Sequence, residues 1–114
     1  MRAHTMTMIV NVKNFPGWKG RFIYVGRRCF GLAGHPLANP FKLSRKATLN
    51  ERFECRNCYK EWLNALPNKD QLLDRLANEV YLTSFPLACW CAPLPCHADI
   101  LAAEVDKRLG VPVS

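Results

Sequence analysis

Leu87-Ala88-Cys89-Trp90-Cys91-Ala92-Pro93-Leu94-Pro95-Cys96-His97-Ala98-Asp99-Ile100-Leu101 is the stretch on which the fold turns. Its first half continues an apolar run from Phe85 to Trp90 that is short enough for a buried strand. The two prolines each fix φ and remove an N–H donor, which confines the chain to a narrow set of turns. Ile100, Leu101, Val105 and Leu109 then recur at helical spacing, with Gly110 and Pro112 beyond to end the helix. Strand, turn and helix therefore follow one another directly. Cys89 and Cys91 leave a strand by the same face. Cys96 and His97 sit at the start of the helix, beside unpaired N–H groups and the positive end of the dipole, where a thiolate or an anion is favoured.

Working outward, Met8-Ile9-Val10-Asn11-Val12 is rich in β-branched residues and predicts a buried strand, closed by a turn at Pro16-Gly17. Arg21-Phe22-Ile23-Tyr24-Val25 predicts a second strand, apolar on both faces after its first residue, as suits the interior of a sheet. Cys29 to Leu43 shows no periodicity; a connection of that length in a small domain is usually functional or mobile. Thr48 and Glu51 form a capping box in front of a helix whose buried face carries Cys55, Tyr59, Trp62, Leu63 and Leu66. Pro67 stops that helix and Asn68 is placed to cap the next, which carries Leu72, Leu73 and Leu76. Glu79 to Ser84 fits either frayed helix or extended chain.

Two strands, two helices, a strand and a helix make an α/β fold: one domain spanning residues 1–114, a small sheet of about three strands with helices against it. The helices between the second and third strands imply a right-handed crossover and hence parallel pairing. Ligands of open α/β sheets sit at the carboxyl ends of the strands, here Gly26-Arg27-Arg28 and Cys91 to His97.

The chain has 114 residues, a net charge of +7 and six cysteines. No run approaches the roughly 18 apolar residues of a membrane span, and Met1-Arg2-Ala3-His4-Thr5 carries no apolar signal region, which points to a cytoplasmic protein and no membrane partner. In that compartment, cysteines suggest metal ligation, reactive thiols or core filling rather than a disulfide framework. The excess charge lies at Lys13, Lys19, Arg21, Arg27, Arg28, Lys42, Arg45 and Lys46 and favours contact with phosphate, in a nucleotide or in nucleic acid.

Tyr24-Val25-Gly26-Arg27, Asn39-Pro40-Phe41, Tyr59-Lys60-Glu61-Trp62-Leu63 and, above all, Cys89-Trp90-Cys91-Ala92-Pro93-Leu94-Pro95-Cys96-His97 occur in an order that resembles the bacterial and phage family called domain of unknown function 4326. The resemblance runs from the first strand into the last helix. It implies a site, not a reaction. Cys55 and Cys58, and the long connection holding Cys29 and His35, look like local additions to the pattern.

Three chemistries are open to these residues. Cys89, Cys91, Cys96 and His97 are ligands of the kind zinc prefers, although C-x-C followed by an adjacent Cys-His is not the usual pair of C-x2-4-C hooks; Cys58 or His35 could complete a partial set. Alternatively Cys96, assisted by His97, is a nucleophile and Cys91 its resolving thiol. The cleft would then be a catalytic or binding pocket. In that pocket Gly26 and Arg27 hold a phosphate, Asn39 reads a base or sugar edge, and Phe41 and Trp90 supply apolar surface. Third, Phe15, Trp18 and Lys19 near Arg21 and Lys13 could stack a base and grip a phosphate in a binding module without chemistry. The expectation is a protein that binds or processes a nucleotide-like or nucleic-acid ligand in that cleft, with a zinc-stabilised interaction module as the alternative.

Overall fold

Three short strands, β1 (Ile9–Asn11), β2 (Ile23–Tyr24) and β3 (Leu87–Cys89), lie in the order β1-β3-β2 in the computed structural model, and both pairs are parallel. The structure describes residues 6–14, 21–29, 31–44, 46–92 and 94–111. Three helices complete it: α1 (Leu49–Asn64), α2 (Lys69–Thr83) and α3 (His97–Arg108). This is the small α/β domain with a three-stranded sheet that the order of elements predicts.

The strand expected in the interior of the sheet is instead an edge. β3, with Leu87, Ala88 and Cys89 all buried, takes the centre and pairs with both neighbours, Leu87 standing opposite Ile9 on one side and Ile23 on the other. A strand enclosed by two parallel partners and a helical layer must be apolar along its whole length, and this tripeptide is. The ladders are shorter than the apolar runs. Val12 opens a single 3₁₀ turn (Val12–Asn14), and at the end of β2 only Val25, whose N–H donates to Ala88 O at 3.0 Å, stays tied to the centre.

Thr48 caps α1 as expected: its Oγ1 accepts from Glu51 N at 3.1 Å, and Glu51 Oε1 accepts from Thr48 N at 3.1 Å. Asn68 holds the position before α2 but makes no side-chain cap, because its backbone (φ −106°, ψ 23°) does not aim the side chain at the helix N–H groups. The ambiguous segment from Glu79 is helical as far as Thr83, and Ser84, at φ 57°, ends it in the left-handed region while donating its N–H to Val80 O at 2.8 Å. Leu73, Leu76, Ala77 and Val80 of α2 meet Leu101 and Val105 of α3 in the core. Each such fully buried leucine or valine contributes about 1.5–3 kcal/mol relative to exposure. Arg108 locks the two helices at their surface through Asp70, Asp74 and Glu104 at 2.9, 2.9 and 2.6 Å.

α3 begins at His97, one residue after its cap. Cys96 is the N-cap: its Sγ accepts from Ala98 N at 3.2 Å while Asp99 Oδ2 accepts from Cys96 N at 3.1 Å, a capping box with sulfur in place of oxygen. Among the described residues no helix is long and apolar enough to cross a membrane.

Candidate functional site

The C-terminal ends of β2 and β3 open onto a cavity of about 250 Å³. Every residue expected at the site lines it: Gly26 and Arg27 from the end of β2, Asn39 and Phe41 from the long connection, and Cys89, Trp90, Cys91, Cys96 and His97 from the turn between β3 and α3. The aromatic and basic cluster at Phe15, Trp18 and Lys19 lies outside the described residues, as do Pro16-Gly17, Arg45, Pro93 and Pro112.

Parallel pairing explains the gathering. β2 and β3 run the same way, so their last residues emerge on one edge, and the connections that leave them curl over that edge. Gly26 O accepts from His35 N at 3.0 Å, which folds the long connection back against the end of β2. His35 Nδ1 accepts from Leu37 N at 3.0 Å, and Leu37, fully buried, has its carbonyl held by the Tyr59 hydroxyl at 2.6 Å. This stretch is therefore anchored to α1 rather than loose. Asn39 closes an Asx turn by accepting from Phe41 N at 2.9 Å and directs its amide at Cys55 Sγ, 3.5 Å away. Cys55 is accordingly a wall of the cavity and not the core residue that helical spacing suggests, whereas Cys58 is exposed.

The cysteine turn is clamped from the side. Asn11, the last residue of β1, donates through its amide to Trp90 O at 3.1 Å and Ala92 O at 2.9 Å. Trp90 Nε1 donates to the Tyr24 hydroxyl at 3.0 Å, and that hydroxyl donates to Arg27 O at 2.5 Å. A chain of three groups thus ties the turn to the Gly-Arg corner. Gly26 permits it, since a Cβ there would stand 2.5 Å from the Tyr24 hydroxyl oxygen and 2.6 Å from the ring carbon that carries it.

Within the turn, β3 ends at Cys89, and Leu94 N donates to Cys91 O at 2.9 Å, so Cys91 belongs to the bend and not to the strand. The thiols converge on Cys96. Cys89 Sγ lies 3.3 Å from Cys96 Sγ, and Cys91 is within hydrogen-bonding reach of Cys96 as well. Hydrogen bonding to Cys89 and to Cys91, together with burial, pushes the Cys96 thiol far up, which favours the proton on Cys96. Cys91 shows the complement: the hydrogen bond from Cys96, then the charge and hydrogen bond of Arg52 and the charge of Arg27, outweigh burial and lower it to about 6. Cys89 is lowered too, chiefly by Cys96. The lowered thiol that the helix dipole leads one to expect at Cys96 is instead at Cys91 and Cys89, because hydrogen bonding among the three sulfurs outweighs the dipole of one helix end.

His97 Nε2 lies 2.7 Å from Val25 O, and since a carbonyl only accepts, that nitrogen carries the proton. Nδ1 is left as the basic nitrogen and faces Cys96 Sγ at 3.8 Å. Burial lowers the His97 imidazole below its usual range and keeps it neutral, and Tyr59 meets it edge-on at 5.2 Å.

Sequence reasoning missed the cations of α1. Arg52, Cys55 and Arg56 stand three and four residues apart on one stripe facing the cavity, which Arg27 and Arg28 border from the other side. No aspartate or glutamate lines it. Arg56 is the one of these four with a carboxylate bonded to it among the described residues, Asp99 at 3.1 Å. The stripe of two arginines around a cysteine at the margin of the apolar face is the signal that could have revealed them.

Tetrahedral zinc with bonds of about 2.3 Å holds its sulfurs about 3.8 Å apart, against the 3.3 Å between Cys89 and Cys96. Among the described residues no group of three or more Cys, His, Asp or Glu side chains is arranged to hold an ion.

Comparison with curated proteins and with solved structures finds no match in either. A family profile matches residues 10–107, which takes in the cavity and all of the elements except the first residue of β1 and the last of α3; the chain belongs to the family described as domain of unknown function (DUF4326).

Proposed function

We propose that the protein binds a small anionic ligand of the nucleotide type in the cavity at the strand ends. The observation that carries this reading is the charge of the walls: among the described residues, four guanidinium groups, of which only Arg56 is bonded to a carboxylate, Asp99, and no carboxylate in the lining, around about 250 Å³ of space. Such a concave, low-dielectric hollow concentrates anions. A phosphate is suited to Arg27 and Arg52, whose planar forks match its oxygens. Trp90 and Phe41 offer flat apolar surface to a base, and Asn39 lines the same wall beside Cys55. The volume lies just under the range of about 300–1,000 Å³ typical of small-molecule pockets, which favours a mononucleotide or something smaller over a dinucleotide.

The test is calorimetric titration of the reduced protein with a panel of mononucleotides and the matching nucleosides. Nucleotides should bind and nucleosides should not. Arg27→Ala and Arg52→Ala should each weaken binding roughly 10- to 100-fold, the range for one charge-assisted hydrogen bond. Equal binding of nucleoside and nucleotide, or none of either, refutes the reading. An oligonucleotide that binds far more tightly, with a steep salt dependence, would move the ligand to nucleic acid.

A further inference from the structure

We propose that Cys91 and Cys96 form a reversible dithiol–disulfide couple on the cavity wall, and that its oxidant is a small anionic disulfide. Three features support it. Cys91 is half-buried and lines the cavity, so a solute can reach it, whereas Cys96 (7% exposed) and Cys89 (2%) stand behind it. Cys96 faces Cys91 across the turn and lines the same cavity, the place a resolving thiol must occupy. Arg52 and Arg27 flank Cys91, an arrangement that favours a thiolate there and draws in a solute of opposite charge.

The exchange balances as follows. The Cys91 sulfur attacks one sulfur of the disulfide; the new S–S bond forms, the old one breaks, and the first thiolate leaves to be protonated by solvent. Cys96 then passes its proton to the Cys89 sulfur, 3.3 Å away, and attacks Cys91 Sγ. The second thiolate departs and takes up that proton. The two cysteines are oxidised by two electrons and the disulfide is reduced to two thiols. The choice of an anionic oxidant rests on the arginine-lined cavity proposed above; the exchange between the thiols does not.

Reduced protein is treated with glutathione disulfide or with the cationic disulfide cystamine, quenched by acid, and mapped by peptide mass spectrometry. The expected product is a Cys91–Cys96 disulfide, formed roughly tenfold faster with glutathione disulfide at low salt, an advantage that shrinks as salt rises. Cys96→Ser should trap the glutathione adduct on Cys91. Serine is itself a strong N-cap, so this variant keeps the start of α3, which far-UV circular dichroism checks. Cys91→Ser should give neither product, and Cys58→Ser should behave as the parent. An adduct mainly on another cysteine, a bond between Cys89 and Cys96, or no trapped adduct in Cys96→Ser overturns the proposal. So does stoichiometric zinc released on oxidation, which would make the thiols ligands. If nucleotides fail to bind while the anionic preference holds, only the earlier reading falls; nucleotide binding without thiol exchange has the opposite meaning.

Discussion

Alkylation of Cys91 by iodoacetamide, followed against pH, tests the electrostatics of the cavity most directly. Its thiol is lowered from 9.0 to about 6. At pH 7 this raises the thiolate fraction roughly 90-fold over an ordinary thiol of the same reference value. A less basic thiolate is also a weaker nucleophile, and a Brønsted slope of about 0.4–0.5 takes back roughly 16- to 32-fold. The net gain at pH 7 is therefore only about three- to sixfold, which accessibility alone could mask. At pH 6 it grows to about 16- to 30-fold, and at pH 9 it reverses, Cys91 reacting about 8- to 16-fold more slowly than the ordinary thiol. Restricted access scales every point alike, so the decisive quantity is the midpoint of the curve and not its height. A midpoint near 6 is expected, with a plateau above neutral pH, when the modified peptide is quantified by mass spectrometry against a free cysteine peptide in the same tube. Cys96→Ala should raise the midpoint most, since Cys96 supplies the largest effect, and Arg52→Met should raise it less. A midpoint at or above 8 in the parent protein, or no movement in either variant, refutes the reasoning.

Stability should follow the same groups. Cys91 and Cys89 bind fewer protons folded than unfolded, so their contribution is complete above pH 9; that of Cys91 is lost as pH falls through about 6, and that of Cys89 is lost in the same direction. The neutral, buried His35 and His97 act in the same direction below about pH 6.5. The melting temperature should thus rise from pH 6 to pH 9, and a flat or falling profile contradicts the assignment. Tyr59→Phe should cost about 1–3 kcal/mol in urea unfolding, because it strands the buried carbonyl of Leu37; a cost below about 0.5 kcal/mol would mean the long connection is not anchored there. Gly26→Ala should drive the Tyr24 ring outward and break its bond to Trp90, abolishing nucleotide binding with circular dichroism preserved, and unimpaired binding would show that this bond does not shape the cavity. Thr48→Ala should cost about 1 kcal/mol through loss of the α1 cap, measured by thermal or urea unfolding, and no change would show that the box contributes nothing.

Where local chemistry decides a feature, it was legible. The Thr48–Glu51 box, the left turn at Gly110 and the apolar run of β3 each depend on a few neighbouring residues, and each is found. Where a feature depends on what lies across the fold, it was not. Ile23 and Tyr24 read as interior because their apolar character is the same at an edge covered by a helix layer; only the crossover puts β3 between the outer strands. Asn68 has the right type for a cap and the wrong backbone. All nine expected cavity residues converge because parallel pairing brings two strand ends to one edge, which the order of elements implies. Arg52 and Arg56 escaped because a helical stripe declares its spacing but not which wall it faces. The placing of the lowered thiol has a similar origin: a helix start can be seen in one segment, but hydrogen bonding among three sulfurs from separate positions cannot.

The strand order carries a consequence for how the chain is made. Among the described residues β1 and β2 do not pair with each other; each pairs with β3, which is synthesised after both helices. During translation the N-terminal two-thirds can form α1 and α2 as local helices, but both pack on α3, which is not yet made, and Ile9, Val10 and Ile23 have nowhere to dock until residue 89 has left the ribosome. Pairings of such long sequence separation form slowly and leave unpaired edges waiting. Truncation just before Leu87 should accordingly produce an aggregating chain rather than a smaller stable domain, and the cavity, built at the mouth of that last strand, comes into being only in the final step.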